Sequence, residues 1–279
     1  MRPDGPLLTL KSRMEELPPV LPSRPDPLPP PAMPLAARLL NVFAIPGEVF
    51  EVVKASRISI GNWVLPMLLS AMVAVLTALA LVSQPTLQKQ MHARFEQQVK
   101  ALQDQVKAGK VKQADADRTV TWTRFIIEPP MLRVLGGTLA AAIGIARVFW
   151  WAFVLWLLGR LFLKAQLNYL KTLEAAGLAL MISVLGGLVM LLLLVNLPTL
   201  FAAPGLSLAV SDFDAMQKSP LLLGAAYVFS FWLIGVLSVG LARLAGVPFL
   251  RAAWFIFAVW VMQESFLVLL GGLLGQFAF

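Results

Sequence analysis

Residues 136–198 read GGTLAAAIGIARVFWWAFVLWLLGRLFLKAQLNYLKTLEAAGLALMISVLGGLVMLLLLVNLP. Two apolar runs, Thr138 to Phe162 and Leu173 to Leu197, flank a short polar linker carrying Lys164, Gln166, Asn168 and Lys171. At ~1.5 Å of rise per residue, each run is long enough to cross ~30 Å of hydrocarbon. The stretch predicts a transmembrane helical hairpin. Arg147 stands inside its first arm, where a charge is costly unless it meets a partner, water or a function.

The composition extends this reading to the whole chain. Of 279 residues, 58% are hydrophobic and 14% charged, with mean hydropathy +0.77, a balance suited to lipid rather than to a soluble domain. The formal net charge of +8 sits at the ends of apolar runs and in one loop. It is not interleaved with aromatics along a groove, so it points to membrane topology and lipid head groups and away from nucleic acid. With no cysteine, the chain has no disulfide, thiolate metal site or thiol nucleophile. The one histidine, His92, lies in a polar segment and reads as an exposed side chain. The first residues place no apolar core behind their charges, so no cleavable signal peptide is expected and the first true span starts insertion.

Residues 1–34 hold eleven of the twenty prolines, and such a segment cannot bury enough apolar surface to order itself. It reads as a disordered tail. Arg24, Pro27 and Pro30 have the spacing of an SH3 ligand, a match that any proline-rich tract supplies cheaply. Residues 35–60 are amphipathic, with Leu39, Val42, Phe43, Val49, Phe50 and Val53 set against Arg38, Glu48, Glu51 and Lys54 and a break at Pro46-Gly47. They read either as helices lying in the membrane interface or as a cap packed on the bundle.

The first span is expected at residues 63–82, with Trp63 as an interfacial anchor and Pro66 tolerated near the helix start. A polar insertion follows over residues 84–133. In it Leu87, Met91, Phe95, Val99, Leu102 and Val106 recur at helical spacing up to Gly109, and a second helical piece reaches about Thr123 before Glu128-Pro129-Pro130. This predicts a helical hairpin or stalk resting on the membrane, either a solvated structural loop or a partner-binding surface. Beyond the central hairpin, Asp212 and Asp214 form a D-x-D in a loop but lack the further ligands a metal needs. Spans at residues 221–244 and 252–276, joined by a turn with Arg243, Gly246, Pro248 and Arg251, complete an all-α bundle of five.

With the N-terminus inside, Arg38, Lys54, Arg57, Arg160, Lys164, Lys171, Arg243 and Arg251 gather on the cytoplasmic side, as the positive-inside rule favours. Arg147 and Glu264 are each placed near the bilayer midplane. Arg147 shares a face with Gly144 and Ala140, and Glu264 with Gly271 and Gly275, which form a G-x-x-x-G. Glycine faces are where helices approach closely, so both charges are expected to point into the bundle and to form an intramembrane ion pair, with Gly144, Gly271 and Gly275 as packing positions. The other reading is that Arg147 snorkels outward and Glu264 is protonated. A structural pair is favoured over a transport route, because the neighbouring spans look poor in polar residues. No nucleotide-loop, nucleophile-elbow or zinc-protease motif occurs, nor any carboxylate–histidine set for acid–base work. Neither catalysis nor a cofactor is expected.

Several segments together resemble a known family: Asn41-Val-Phe-Ala-Ile-Pro-Gly-Glu-Val-Phe before the first span, Gly159-Arg-Leu-Phe-Leu-Lys-Ala-Gln-Leu and Leu173-Glu-Ala-Ala-Gly-Leu-Ala in the central hairpin, Phe231-Trp232 and Gly240 in the fourth span, and Arg251-Ala252-Ala253 leading to Trp260. Over roughly Asn41 to Gln276 the chain looks like the Yip-type five-span membrane proteins, in their bacterial branch. The resemblance implies five transmembrane helices, a cytoplasmic N-terminus and a bacterial inner membrane. Eukaryotic relatives bind Rab-type GTPases and act in vesicle traffic and membrane shaping. This chain lacks their D-L-Y-G-P motif and a proline common in the third span, and adds the long insertion, which argues against GTPase binding. The expectation is a non-enzymatic protein that organises membrane or binds partners, alone as a homo-oligomer or with other membrane proteins. The alternative is a small-solute or ion transporter or channel whose Arg147 and Glu264 line the route.

Overall fold

The computed structural model describes residues 33–196 and 228–277. The proline-rich tail up to residue 32, the loop with Asp212 and Asp214, and the start of the fourth span at 221–227 lie outside the described residues. Among the described residues the chain is helical throughout, with no strand. Its elements are α1 (Leu35–Asn41), α2 (Pro46–Ala55), α3 (Gly61–Val82), α4 (Pro85–Lys107), α5 (Gln113–Ile127), α6 (Pro129–Leu157) extended by a π-helical turn (Leu158–Phe162), α7 (Tyr169–Ala179), α8 (Met181–Asn196), α9 (Val228–Ala245) and α10 (Phe249–Phe277).

Five stretches are long and apolar enough to cross a membrane: Gly61–Val82, Pro129–Phe162, Tyr169–Asn196, Val228–Ala245 and Phe249–Leu267. Their bounds differ from the sequence reading in informative ways. The second helix begins at Pro129 rather than near residue 138, because Pro129 and Pro130 occupy its first positions, where a missing N–H costs nothing and a fixed φ is already helical. The insertion is correspondingly shorter, α4 and α5 alone. The third begins at Tyr169, since the Asn168 side chain accepts a hydrogen bond from the Leu170 amide at 2.9 Å and so caps the helix. This third span is also two helices, α7 and α8, divided at Leu180.

Helix α3 packs on α6, α7 and α8, while α9 lies against α2, α7 and α10. Pro66 inside α3 supplies no N–H for the Asn62 carbonyl one turn earlier. Helices α1 and α2 fold over one end of the bundle, and Val42, Val49, Phe50 and Val53 have no accessible surface. The amphipathic segment is therefore a cap belonging to the core. That capped end, called proximal below, also carries the ends of α6 and α9 and the starts of α7 and α10. Lys54 donates to the Arg243 carbonyl at 2.9 Å, and Lys171 donates to the carbonyls of Val53 and Ser56 at 2.8 and 2.7 Å.

At the distal end α4 and α5 pair. Leu87, Met91, Phe95, Val99, Leu102 and Val106 of α4 are all half-buried and none is fully buried. The Arg124 guanidinium lies 5.9 Å from the centre of the Phe95 ring. The α4 stripe is thus used for pairing with α5 rather than for building a core.

Candidate intramembrane polar sites

Among the described residues the fully buried charged side chain is Glu174, near the start of α7, which has no accessible surface. Asn62, at the start of α3, donates from Nδ2 to Glu174 Oε2 at 2.5 Å. On the other side, Lys171 Nζ stands 3.0 Å from Glu174 Oε1, in an ionic contact whose angle is not that of a hydrogen bond. The same ammonium donates to the carbonyls of Val53 and Ser56. Those carbonyls lie at the C-terminus of α2, where helix geometry leaves acceptors unmatched and a cation is favoured. Arg38 extends the chain of contacts, donating from Nη1 to Asn62 Oδ1 at 3.4 Å and from Nε to the Met33 carbonyl at 2.8 Å. The cap helices and two spans are joined through one carboxylate.

Gly177 is what allows Asn62 to reach Glu174. It sits one turn beyond Glu174 on the same face of α7. A β-carbon there would lie 2.4 Å from the Trp63 Cα and 2.7 Å from the Asn62 carbonyl oxygen, so the two backbones touch. The sequence reading missed Glu174 as a site. The signal was present: an acid opening an apolar span, with a lysine three residues before it and Ala-Ala-Gly after it.

A second polar cluster lies deeper, between α6 and α10. Arg147 is fifteen residues from the proximal end of its span at Phe162, and Glu264 is fifteen residues from the start of α10 at Phe249. They are level, roughly 22 Å in from that end at ~1.5 Å per residue. The charge of Arg147 acts on Glu264, which also takes a hydrogen bond from Trp260 one turn earlier. One turn from Arg147, Trp150 donates from Nε1 to Gln263 Oε1 at 2.7 Å.

The expectation that both charges point into the bundle needs correction. Arg147 is exposed, and Glu264 is half-buried. The buried stripe of α6 runs through Gly137, Gly144, Val148, Trp151, Ala152, Val154 and Leu155, and at 3.6 residues per turn Arg147 falls roughly 70° from its centre, at the edge of the buried face. Gly144 lies within that stripe, where a β-carbon would be 3.1 Å from the Ala71 Cα of α3. Gly271 and Gly275 lie in α10, but their surroundings are outside the described residues.

Both clusters bind helices to one another, and each is confined to one level of the bundle. The Yip1 domain family model matches residues 40–271. No curated protein and no solved structure matches the chain. The five apolar helices and a match over most of the chain agree: the protein belongs to the Yip1 domain family of integral membrane proteins.

Proposed function

We propose that this chain works without catalysis, as a membrane-organising or partner-binding protein of a bacterial inner membrane with its N-terminus in the cytoplasm. In this reading Arg147 and Glu264 form a structural ion pair. The observation that carries it is the arrangement of polar groups in the spans. Arg147, Trp150, Trp260, Gln263 and Glu264 occupy one level between two helices, and Glu174, Asn62 and Lys171 occupy another near the proximal end. A transport route needs polar groups strung through the membrane thickness, whereas groups gathered at one depth fasten neighbouring helices.

A double-mutant cycle in detergent tests the pair: thermal unfolding of Arg147→Met, Glu264→Gln and the double variant. The expected result is a loss in each single variant and partial recovery in the double, with a coupling of about 0.5–3 kcal/mol. Additive or negligible changes would sink the pair. Variants that keep full stability but lose ion flux in liposomes would establish the transporter reading instead.

A further inference from the structure

Two cavities meet at Phe249, where α10 begins. The first, about 460 Å³, opens at the proximal end and is lined by Glu51, Lys54, Val239, Arg243 and Phe249 among others. The second, about 330 Å³, is an apolar groove between α9 and α10, lined by Phe231, Gly235, Ser238, Phe249, Trp254 and Phe257 among others. Each falls within the size range of small-molecule sites. Phe231, Gly235, Ser238, Ala242 and Gly246 follow one another at spacings of three and four residues, so both cavities share one stripe of α9. From Ala242 to Phe231 that stripe is roughly 16 Å long at ~1.5 Å per residue.

We infer that these cavities form one site for an anionic phospholipid, its phosphate held by Lys54 and Arg243 and one acyl chain lying along Gly235. The polar mouth has two cations and one carboxylate. Arg243 Nη1 is 3.1 Å from Glu51 Oε1, with both side chains about half exposed, and Glu51 thereby holds the guanidinium at the rim. Lys54 uses one of its three N–H groups on the Arg243 carbonyl. The trio is net positive by one, which favours a phosphodiester. The mouth lies at the end of the apolar spans, and the groove runs from there into the hydrocarbon for about the depth of one leaflet, half of ~30 Å. Of the side chains lining the groove only Ser238 and Trp254 carry a polar atom, and the Ser238 hydroxyl donates to the Ile234 carbonyl of its own helix at 2.6 Å. A second copy meeting the mouth about a two-fold axis would set these cations against themselves.

Gly235 supplies a clean test, because a β-carbon there meets nothing within 4 Å. Gly235→Leu projects a branched side chain into the groove, and its melting temperature checks that the fold is kept. The full chain is purified in detergent, incubated with phosphatidylglycerol, phosphatidylcholine or inorganic phosphate, and examined by native mass spectrometry for retained adducts. Phosphatidylglycerol is expected to be retained over phosphatidylcholine. Loss of charged hydrogen bonds in Lys54→Gln with Arg243→Gln should weaken retention by roughly tenfold or more, and Gly235→Leu should weaken it too at unchanged melting temperature. Equal retention of both lipids, unaltered by either change, would identify the adducts as lipid of the general annulus and overturn the inference. Competition by inorganic phosphate with no effect of Gly235→Leu would leave only an anion site. A shift in oligomeric state on Gly235→Leu, without change in lipid retention, would assign the groove to a second copy.

Discussion

Asn62 Nδ2 donates to Glu174 Oε2 at 2.5 Å across 112 residues of chain, and Lys171 holds the other oxygen at 3.0 Å. Removing one partner of a buried pair leaves an uncompensated charge. Lys171→Met is therefore expected to lower unfolding stability by about 3–5 kcal/mol, and also to loosen the α2 end that the ammonium caps. Adding Glu174→Leu to Lys171→Met should restore much of the loss. Denaturation in detergent reads both variants, and an unchanged midpoint for Lys171→Met would show that the carboxylate is not held by this contact.

Gly177 and Gly235 make a matched pair for testing helix contact. Gly177→Ala puts a methyl 2.4 Å from the Trp63 Cα, and a backbone neighbour cannot rotate away. The cost expected is at least the 1–3 kcal/mol typical of about one methyl forced into a full core. Gly235→Ala, in open space, should be neutral or slightly stabilising, since alanine is the better helix former. Equal effects at the two sites would mean that α3 and α7 do not touch at Gly177.

The chain has no cysteine, so single cysteines report sidedness directly. Lys110 lies in the turn between α4 and α5, and Arg251 is exposed at the start of α10. With a cytoplasmic N-terminus, a membrane-impermeant maleimide added to spheroplasts should label Lys110→Cys and spare Arg251→Cys until the membrane is opened. The opposite pattern reverses the orientation.

The α4–α5 hairpin pairs with itself, with Arg124 over Phe95, no fully buried side chain among the described residues of α4, and only Ala116 buried in α5. Replacing residues 86–127 with a short Gly/Ser linker should leave bundle stability within about 1 kcal/mol, the scale of surface changes. Collapse of the bundle on this deletion would make the hairpin part of the fold rather than an appendage to it.

Much of the membrane architecture was legible in the chain, because hydropathy is local: twenty apolar residues in a row read as a span whatever their neighbours are. The break at Leu180 was not legible, since neither proline nor a cluster of polar residues marks it. Arg147 and Glu264 were conspicuous as charges in apolar text, and their common depth followed from counting residues. Glu174 was overlooked because it stands only a few residues into its span, where a charge attracts less notice.

The sequence by itself determined that this protein has five apolar helices, where most of their boundaries fall, and that its basic residues sit mainly outside the apolar runs. All of these depend on composition along the chain. Which face each helix turns inward was decided only by tertiary structure, because it depends on neighbours distant in sequence. Ala71 fits against Gly144 and so turns that face of α6 toward α3, while Arg147, one turn on, stays exposed. Trp63 fits against Gly177 and so brings Asn62 to Glu174.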